Sequence, residues 1–386
     1  MRPTDSEKPD SGNSDSEKRL IAAAAGIVFA YGAVALRFFA NGTWIRDTQD
    51  RPLVTDFLPV FTAGKLAWAG HAATAYDWRA FHRIQADFIG HPFAGFLGWH
   101  YPPLYFLVAM ALALAPYTTA FLGWVVTTLA AFAGVTGAIM GRPPRILIAL
   151  ALPPVLGCVL VGQNGFFTGA LLGALLLCLP TRPLLAGLFL ALLTFKPQFG
   201  ILLPFALLAG GYWRSIAVAA LLTLLWIGIG FGFSPEAFAG FLHYLPETSR
   251  TVLGEGTSGW GKLQSVYAVI RLLGGSDATG WAAQIATAAL AGGYCLWLWR
   301  RPLPFALKAA ALSAAMLLAT PYVYFYDLPV LGVALAFLLR HRPFDGIEYA
   351  ILAVIFMVLA AFVAGPMPFG LLATALVLAL TIRRAA

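Results

Sequence analysis

Beyond about residue 20 the chain is a succession of long apolar runs broken by short polar punctuation. A helix needs about 20 such residues to cross a bilayer, and fewer where Gly and Pro allow tight packing. The pattern predicts spans near 20–40, within 101–140, and over 145–161, 165–180, 182–195, 198–212, 214–233, 279–299, 303–319, 325–340, 346–364 and 367–382. Two segments, 41–100 and 234–278, interrupt it. The first holds amphipathic stretches, Phe57 to Trp68 and Trp78 to Phe88, that read as helices lying in the membrane interface with Trp and Tyr at headgroup depth. Residues 1–19, rich in Ser, Asp, Glu, Lys and Pro, have too little apolar surface to fold and are expected as a disordered cytoplasmic tail. Residues 20–386 are expected to form a single all-α polytopic membrane domain.

Composition narrows the class. Of 386 residues 60% are apolar and 11% charged, against roughly 25% charged in a soluble domain. A soluble enzyme is excluded. The net charge of +8 comes as isolated basic pairs between apolar runs, which gives no continuous surface for nucleic acid. Cys158, Cys178 and Cys295 lie inside apolar runs without metal-ligand spacing and read as buried small hydrophobes.

The basic pairs report topology instead. Arg142/Arg145, Arg182, Arg214, Arg300/Arg301, Arg340/Arg342 and Arg383/Arg384 are each two spans from the next, so all belong on the cytoplasmic side. Segments 41–100 and 234–278 then face outward. Parity asks 101–141 for one crossing plus a half-inserted or re-entrant helix, giving about 12 crossings. Beyond the tail only Asp345 and Glu348 among the acidic residues fall inside; any chemistry faces out.

Several polar stretches converge on that outer side. Asp56 precedes an apolar run; held against the membrane it would be a poorly hydrated, strengthened base, although a helix N-cap is the other role such an Asp plays. His100-Tyr101-Pro102-Pro103 fixes the chain's return into the membrane and could shape a cavity. Gln163 and Asn164 bring amides close to hydrocarbon. Lys196, followed by Pro197 and Gln198, interrupts apolar runs on the side that disfavours positive charge, and needs a partner or an anion such as phosphate, unless it reaches to headgroups. Glu255, Lys262, Gln264 and Ser265 lie in or beside the Gly-rich stretch Gly254 to Gly261, the kind of loop that covers active sites. Asp327 follows Tyr322, Tyr324 and Tyr326; an aromatic belt explains the tyrosines but not the carboxylate. A transporter would instead concentrate polar groups near the midplane of broken helices.

Taken in order, Asp56, Tyr76-Asp77, Tyr101-Pro102-Pro103-Leu104, Gly162-Gln163-Asn164, Lys196-Pro197-Gln198, Gln264-Ser265 and Tyr326-Asp327 resemble the motifs of glycosyltransferase family 87. These are membrane transferases of GT-C fold that use polyprenyl-phosphate sugars, among them mannosyltransferases of glycolipid assembly. Leu263 stands where many members have Asn, and Tyr326-Asp327 where the mannosyltransferases tend to carry His; both differences bear on the sugar more than on the reaction.

The resemblance implies a GT-C bundle of about 12 helices in a bacterial inner membrane, its active site facing the periplasm or exterior. Segment 41–100 would carry the catalytic Asp, and 234–278 would cover the site. It implies a polyprenyl-phosphate donor of a hexose, mannose foremost, or a pentose. The acceptor would be a hydroxyl of a lipid-linked or envelope glycan, amid membrane lipids and without nucleic acid. Asp56 would be the general base of an inverting transfer. Lys196 and Gln198 would hold the donor phosphate, and His100, Tyr101, Gln163, Asn164, Gln264, Ser265, Tyr326 and Asp327 the substrates. A retaining route through Asp327 stays open. No Asp-x-Asp pair stands in 41–100 to bind Mg²⁺ or Mn²⁺, so neither metal nor cofactor is expected. A transporter of lipid or glycan precursors and a non-catalytic scaffold are the competing readings.

Overall fold

The computed structural model describes residues 11–95 and 97–386, with side chains from Asp15 onward. Its first helix, α1 (Ser11–Ala40), starts inside the expected tail. Residues 11–19 are thus helical, and residues 1–10 lie outside the described residues. Partners explain the order: Glu17 accepts two hydrogen bonds of 2.7 Å from Arg145, and Asp15 pairs with Lys18 one turn away.

Segment 41–100 contains α2 (Leu58–Trp68) and α3 (Trp78–Ile89). Only α3 is amphipathic as expected, with Phe81, Gln85 and Ile89 buried. It begins on Asp77, whose carboxylate accepts from the N–H groups of Arg79 and Ala80 at 3.0 Å, an N-cap. Helix α2 departs from the interfacial expectation because Leu58 to Gly64 are all buried. It packs on α4 (Phe106–Leu112) at Gly64, where a Cβ would fall 2.1 Å from the Ala109 carbonyl.

Next come α5 (Tyr117–Met140), α6 (Ile146–Leu150), α7 (Pro153–Val161), α8 (Gly165–Cys178), α9 (Pro183–Leu192), α10 (Leu203–Ala209) and α11 (Trp213–Phe233). After α12 (Pro235–Ser249) and α13 (Val266–Leu272), the chain forms α14 (Asp277–Arg300), α15 (Phe305–Ala319), α16 (Val330–His341), α17 (Gly346–Ala360) and α18 (Phe369–Ala385). Segment 101–141 therefore holds one short apolar helix and one full-length one. Among the described residues four helical stretches are long and apolar enough to cross a membrane: Asp15–Ala40, Tyr117–Met140, Trp213–Phe233 and Gly346–Ala364. A fifth forms if Pro143–Leu150 and Pro153–Val161, bent by 71°, count as one span. Shorter apolar helices, including Gly165–Cys178 and Phe305–Ala319, complete the bundle.

Burial separates core from periphery. Every residue of α15 from Ala309 to Ala319 is buried, as is α16 from Val330 to Leu339; these helices are apolar all round and form the centre. Helices α1 and α11 expose their apolar residues instead, Phe29 by 80% and Leu221 by 68%, as lipid-facing helices do.

The basic ends meet as the charge pattern requires. Arg145 donates to Leu339 O, Arg340 to Ile139 O, and Arg342 and Arg384 to Glu348. The ends of α5, α16 and α18 thus share one face with the starts of α6 and α17.

Candidate active site

At the opposite end of the bundle, Asp56 is held between two anchored neighbours. The Thr55 hydroxyl lies 3.1 Å from the Tyr117 hydroxyl. Phe57 is fully buried, with ring centroids 5.6 Å from Tyr117 and 5.2 Å from Phe121. Asp56 does not cap α2: the N-cap position falls on Phe57 and has no side-chain hydrogen bond. Among the described residues its half-buried carboxylate has no hydrogen-bond partner, although unpaired carboxylates so placed are expensive. Loss of hydration raises its pKa from 3.8 to about 6, opposed first by the charge of Lys262, while Asp327 raises it further and Lys196 lowers it. Those three charges therefore lie within electrostatic reach of Asp56.

Lys196 has a protein partner 131 residues away. Its Nζ donates to Asp327 Oδ1 at 2.5 Å, with side chains only 6% and 2% exposed. The ammonium also stands 5.3 Å from the Tyr326 ring centre and 5.4 Å from that of Phe199. The other carboxylate oxygen, Oδ2, accepts from the Tyr324 N–H at 3.0 Å. Each Asp327 oxygen thus accepts one hydrogen bond. Gln198 is half-buried beside this pair in sequence and has no side-chain hydrogen bond among the described residues.

Tyr101 joins the next pair of motifs. Its hydroxyl donates to Gln163 Oε1 at 3.2 Å and accepts from Asn164 Nδ2 at 2.7 Å. Gly162, at φ +69°, ends α7 in the left-handed conformation that glycine favours. At Gly165 a Cβ would lie 1.7 Å from the Tyr326 carbonyl oxygen, so only glycine lets α8 start against the 325–327 turn. That contact sets Gln163 and Asn164 beside Tyr326 and Asp327. His100 is at the exposed rim, its ring 5.2 Å from Trp78 and its Nδ1 3.4 Å from Thr248 Oγ1.

The second polar segment is stitched to the same turn. Gln264 N donates to Val323 O at 2.6 Å, Leu263 and Tyr324 form an antiparallel bridge, and the Tyr324 hydroxyl donates to Ser258 Oγ at 3.2 Å. The Gln264 side chain accepts from Gly370 N at 2.7 Å and donates to Lys262 O at 2.9 Å. Ser265 caps α13 by accepting from Ala268 N. Lys262 is exposed and, among the described residues, has no ion pair or side-chain hydrogen bond. No local pattern distinguishes it; the loop's Gly-rich character was its only signal. Among the described residues no three His, Cys, Asp or Glu side chains converge as metal ligands.

These features define a polytopic membrane protein whose ionisable groups gather around one unpaired carboxylate at one end of the bundle. The family model of glycosyltransferase family 87 matches residues 99–321, more than half of the chain. The chain belongs to glycosyltransferase family 87 and is a membrane glycosyltransferase. The match takes in His100, Tyr101, Gln163, Asn164, Lys196, Gln198, Gln264 and Ser265, and leaves out Asp56, Tyr326 and Asp327. No curated protein and no solved structure matches the chain.

Proposed function

We propose that the protein transfers a sugar, mannose foremost among hexoses, or a pentose, from a polyprenyl-phosphate donor to a hydroxyl of a lipid-linked or envelope glycan. The reaction takes place on the outer face of a bacterial inner membrane, within a GT-C bundle of about 12 crossings. The observation that carries this reading is Asp56: a half-buried carboxylate without a hydrogen-bond partner, set between anchored neighbours, with a pKa raised to about 6. Such a group is a base poised near working pH.

Asp56 takes the acceptor hydroxyl proton as that oxygen attacks the anomeric carbon. The bond from that carbon to the phosphate oxygen breaks on the opposite side, and the lipid phosphate leaves with the electron pair. The phosphate needs no proton to depart, only counter-charge where its negative charge grows. Lys262 is the unpaired cation within reach and supplies it, with the Gln198 amide as a further donor. Lys196, already matched by Asp327, positions the Tyr326 wall. Tyr101, Gln163 and Asn164 present hydroxyl and amide groups to the sugar. Each Asp327 oxygen already accepts a hydrogen bond, one of them from the Lys196 ammonium, which weakens that carboxylate as a nucleophile and favours inversion.

The test uses purified protein in lipid, a radiolabelled panel of polyprenyl-phosphate hexoses and pentoses, and a cell-envelope lipid extract. Transfer from one lipid donor, with inverted anomeric configuration in the product by NMR, is the expected result. Transfer from nucleotide sugars alone, or retained configuration, would overturn the proposal. Movement of an intact lipid or glycan across vesicles without transfer would indicate a transporter.

A further inference from the structure

At the far end of α15 from Asp327, the ends of α10 and α14 and the starts of α11 and α15 enclose a cleft of about 340 Å³. Tyr212, Trp299, Arg300, Arg301 and Lys308 line it. Trp299 and Lys308 tie its walls together: Trp299 Nε1 donates to Lys308 O at 3.1 Å and Lys308 Nζ to Trp299 O at 3.3 Å. The rings of Tyr212 and Trp299 meet edge to face at 6.0 Å. Arg301 stacks over Trp297 at 5.0 Å.

The charge here is unbalanced, and it is concentrated: among the described residues Arg142, Arg182 and Arg340 on the same side also have no ion pair, but none of them lines this cleft. On the same basic side of the topology, Glu17 neutralises Arg145, while Asp345 and Glu348 neutralise Arg342, Arg383 and Arg384. No acidic residue lines the cleft, and among the described residues Arg214, Arg300, Arg301 and Lys308 have no ion pair. The half-buried Lys308 has given up water without gaining an anion. Flanking indoles mark the depth: Trp213 is 63% exposed and Trp297 46%, as in the aromatic belt at headgroup level.

We propose that this cleft binds a phosphate-bearing anion at the cytoplasmic membrane surface, foremost the headgroup of an anionic phospholipid. Basic pockets between helices on that side recognise such headgroups. Arg300 and Arg301 grip the phosphate oxygens, Lys308 closes the floor, and Tyr212 and Trp299 pack on the glycerol. The volume is several times that of a phosphate group, so a phosphoglycerol unit fills it better than a lone ion. This site is separate from the sugar-transfer centre and does not depend on that assignment.

The test is native mass spectrometry of the delipidated protein in detergent. Phosphatidylglycerol, phosphatidylcholine and inorganic phosphate are titrated into wild type and Arg300→Gln/Arg301→Gln/Lys308→Gln. Wild type should hold phosphatidylglycerol in preference to phosphatidylcholine. At about fivefold per charge removed, the triple variant should bind it about a hundredfold more weakly. Arg300→Lys/Arg301→Lys/Lys308→Arg should keep binding, which separates lost charge from lost fold, and Arg142→Gln, elsewhere on the basic face, should change nothing. Displacement of the lipid by inorganic phosphate at equal affinity would assign the same phosphate chemistry to a soluble source. Equal phosphatidylglycerol binding by wild type and the triple variant, or equal binding of both lipids, would overturn the proposal.

Discussion

The ion pair between Lys196 and Asp327 gives the sharpest stability prediction. Both side chains are almost wholly buried, at 6% and 2% exposure, so each charge depends on the other and on its hydrogen bonds. Lys196→Met keeps the volume of the side chain but strands the carboxylate with only the Tyr324 N–H. Removing one member of such a pair costs about 3–5 kcal/mol. Asp327→Asn should cost less, because the rings of Tyr326 and Phe199 at 5.3 and 5.4 Å still host the ammonium. The double variant Lys196→Met/Asp327→Asn buries no charge and should recover most of the loss, a coupling of about 2–3 kcal/mol. Unfolding midpoints in mixed SDS micelles for the four proteins close the cycle. A double variant less stable than either single one would show that neither charge depends on the other. Donor affinity separates positioning from phosphate binding: the folded double variant should bind donor within about twofold of wild type, whereas a loss of tenfold or more would place Lys196 on the phosphate.

Asp56 must be ionised to act as base, so kcat/KM should fall about tenfold per pH unit below about 6; a rate flat from pH 5 to 8 would contradict this. The same shift has a stability consequence of opposite sign. The folded protein holds the Asp56 proton more tightly than the unfolded chain, so stability falls as pH rises from about 4 to about 6 and this contribution is constant above. Asp56→Asn should therefore unfold at a higher midpoint above pH 6, by at most about 3 kcal/mol; a lower midpoint would show that the carboxylate supports the fold. Lys262→Gln should slow transfer about 10- to 100-fold, with Lys262→Arg largely restoring it; an unchanged rate in both would remove Lys262 from the reaction. EDTA should leave turnover unchanged, and activity lost to it and restored by one divalent ion would refute a metal-independent transfer.

Local pattern revealed much, and the failures share a cause. Apolar runs gave the helices, and basic pairs grouped the ends of α5, α16 and α18 on one face, because both depend on residues near in sequence. The convergence of Tyr101, Gln163, Asn164, Lys196, Tyr326 and Asp327 was legible as motifs on one side. Which group faces which was not. Lys196 and Asp327 are 131 residues apart, so the lysine's need for an anion could be read but not its partner. Gln264 and Ser265 read as substrate ligands in sequence, and the contacts they make with Gly370 N and Ala268 N could not be read there. For α2 the amphipathic pattern suggested an interfacial helix. Its second face is covered by α4, a contact made through Gly64 and Ala109 that no periodicity announces. Residues 11–19 read as a tail because they have little apolar surface to bury, and the Arg145 side chain that pairs with Glu17 comes from 128 residues away. Asp56 is the converse case: a capping role was plausible from position, and the structure leaves the carboxylate uncapped.

The most direct test compares wild type with Asp56→Asn in lipid, measuring sugar transfer from a radiolabelled polyprenyl-phosphate donor and, separately, equilibrium binding of that donor. With Asp56 as the catalytic base, turnover is abolished while donor affinity stays within about twofold. Full turnover by Asp56→Asn, or loss of donor binding together with turnover, would contradict Asp56 as the catalytic base.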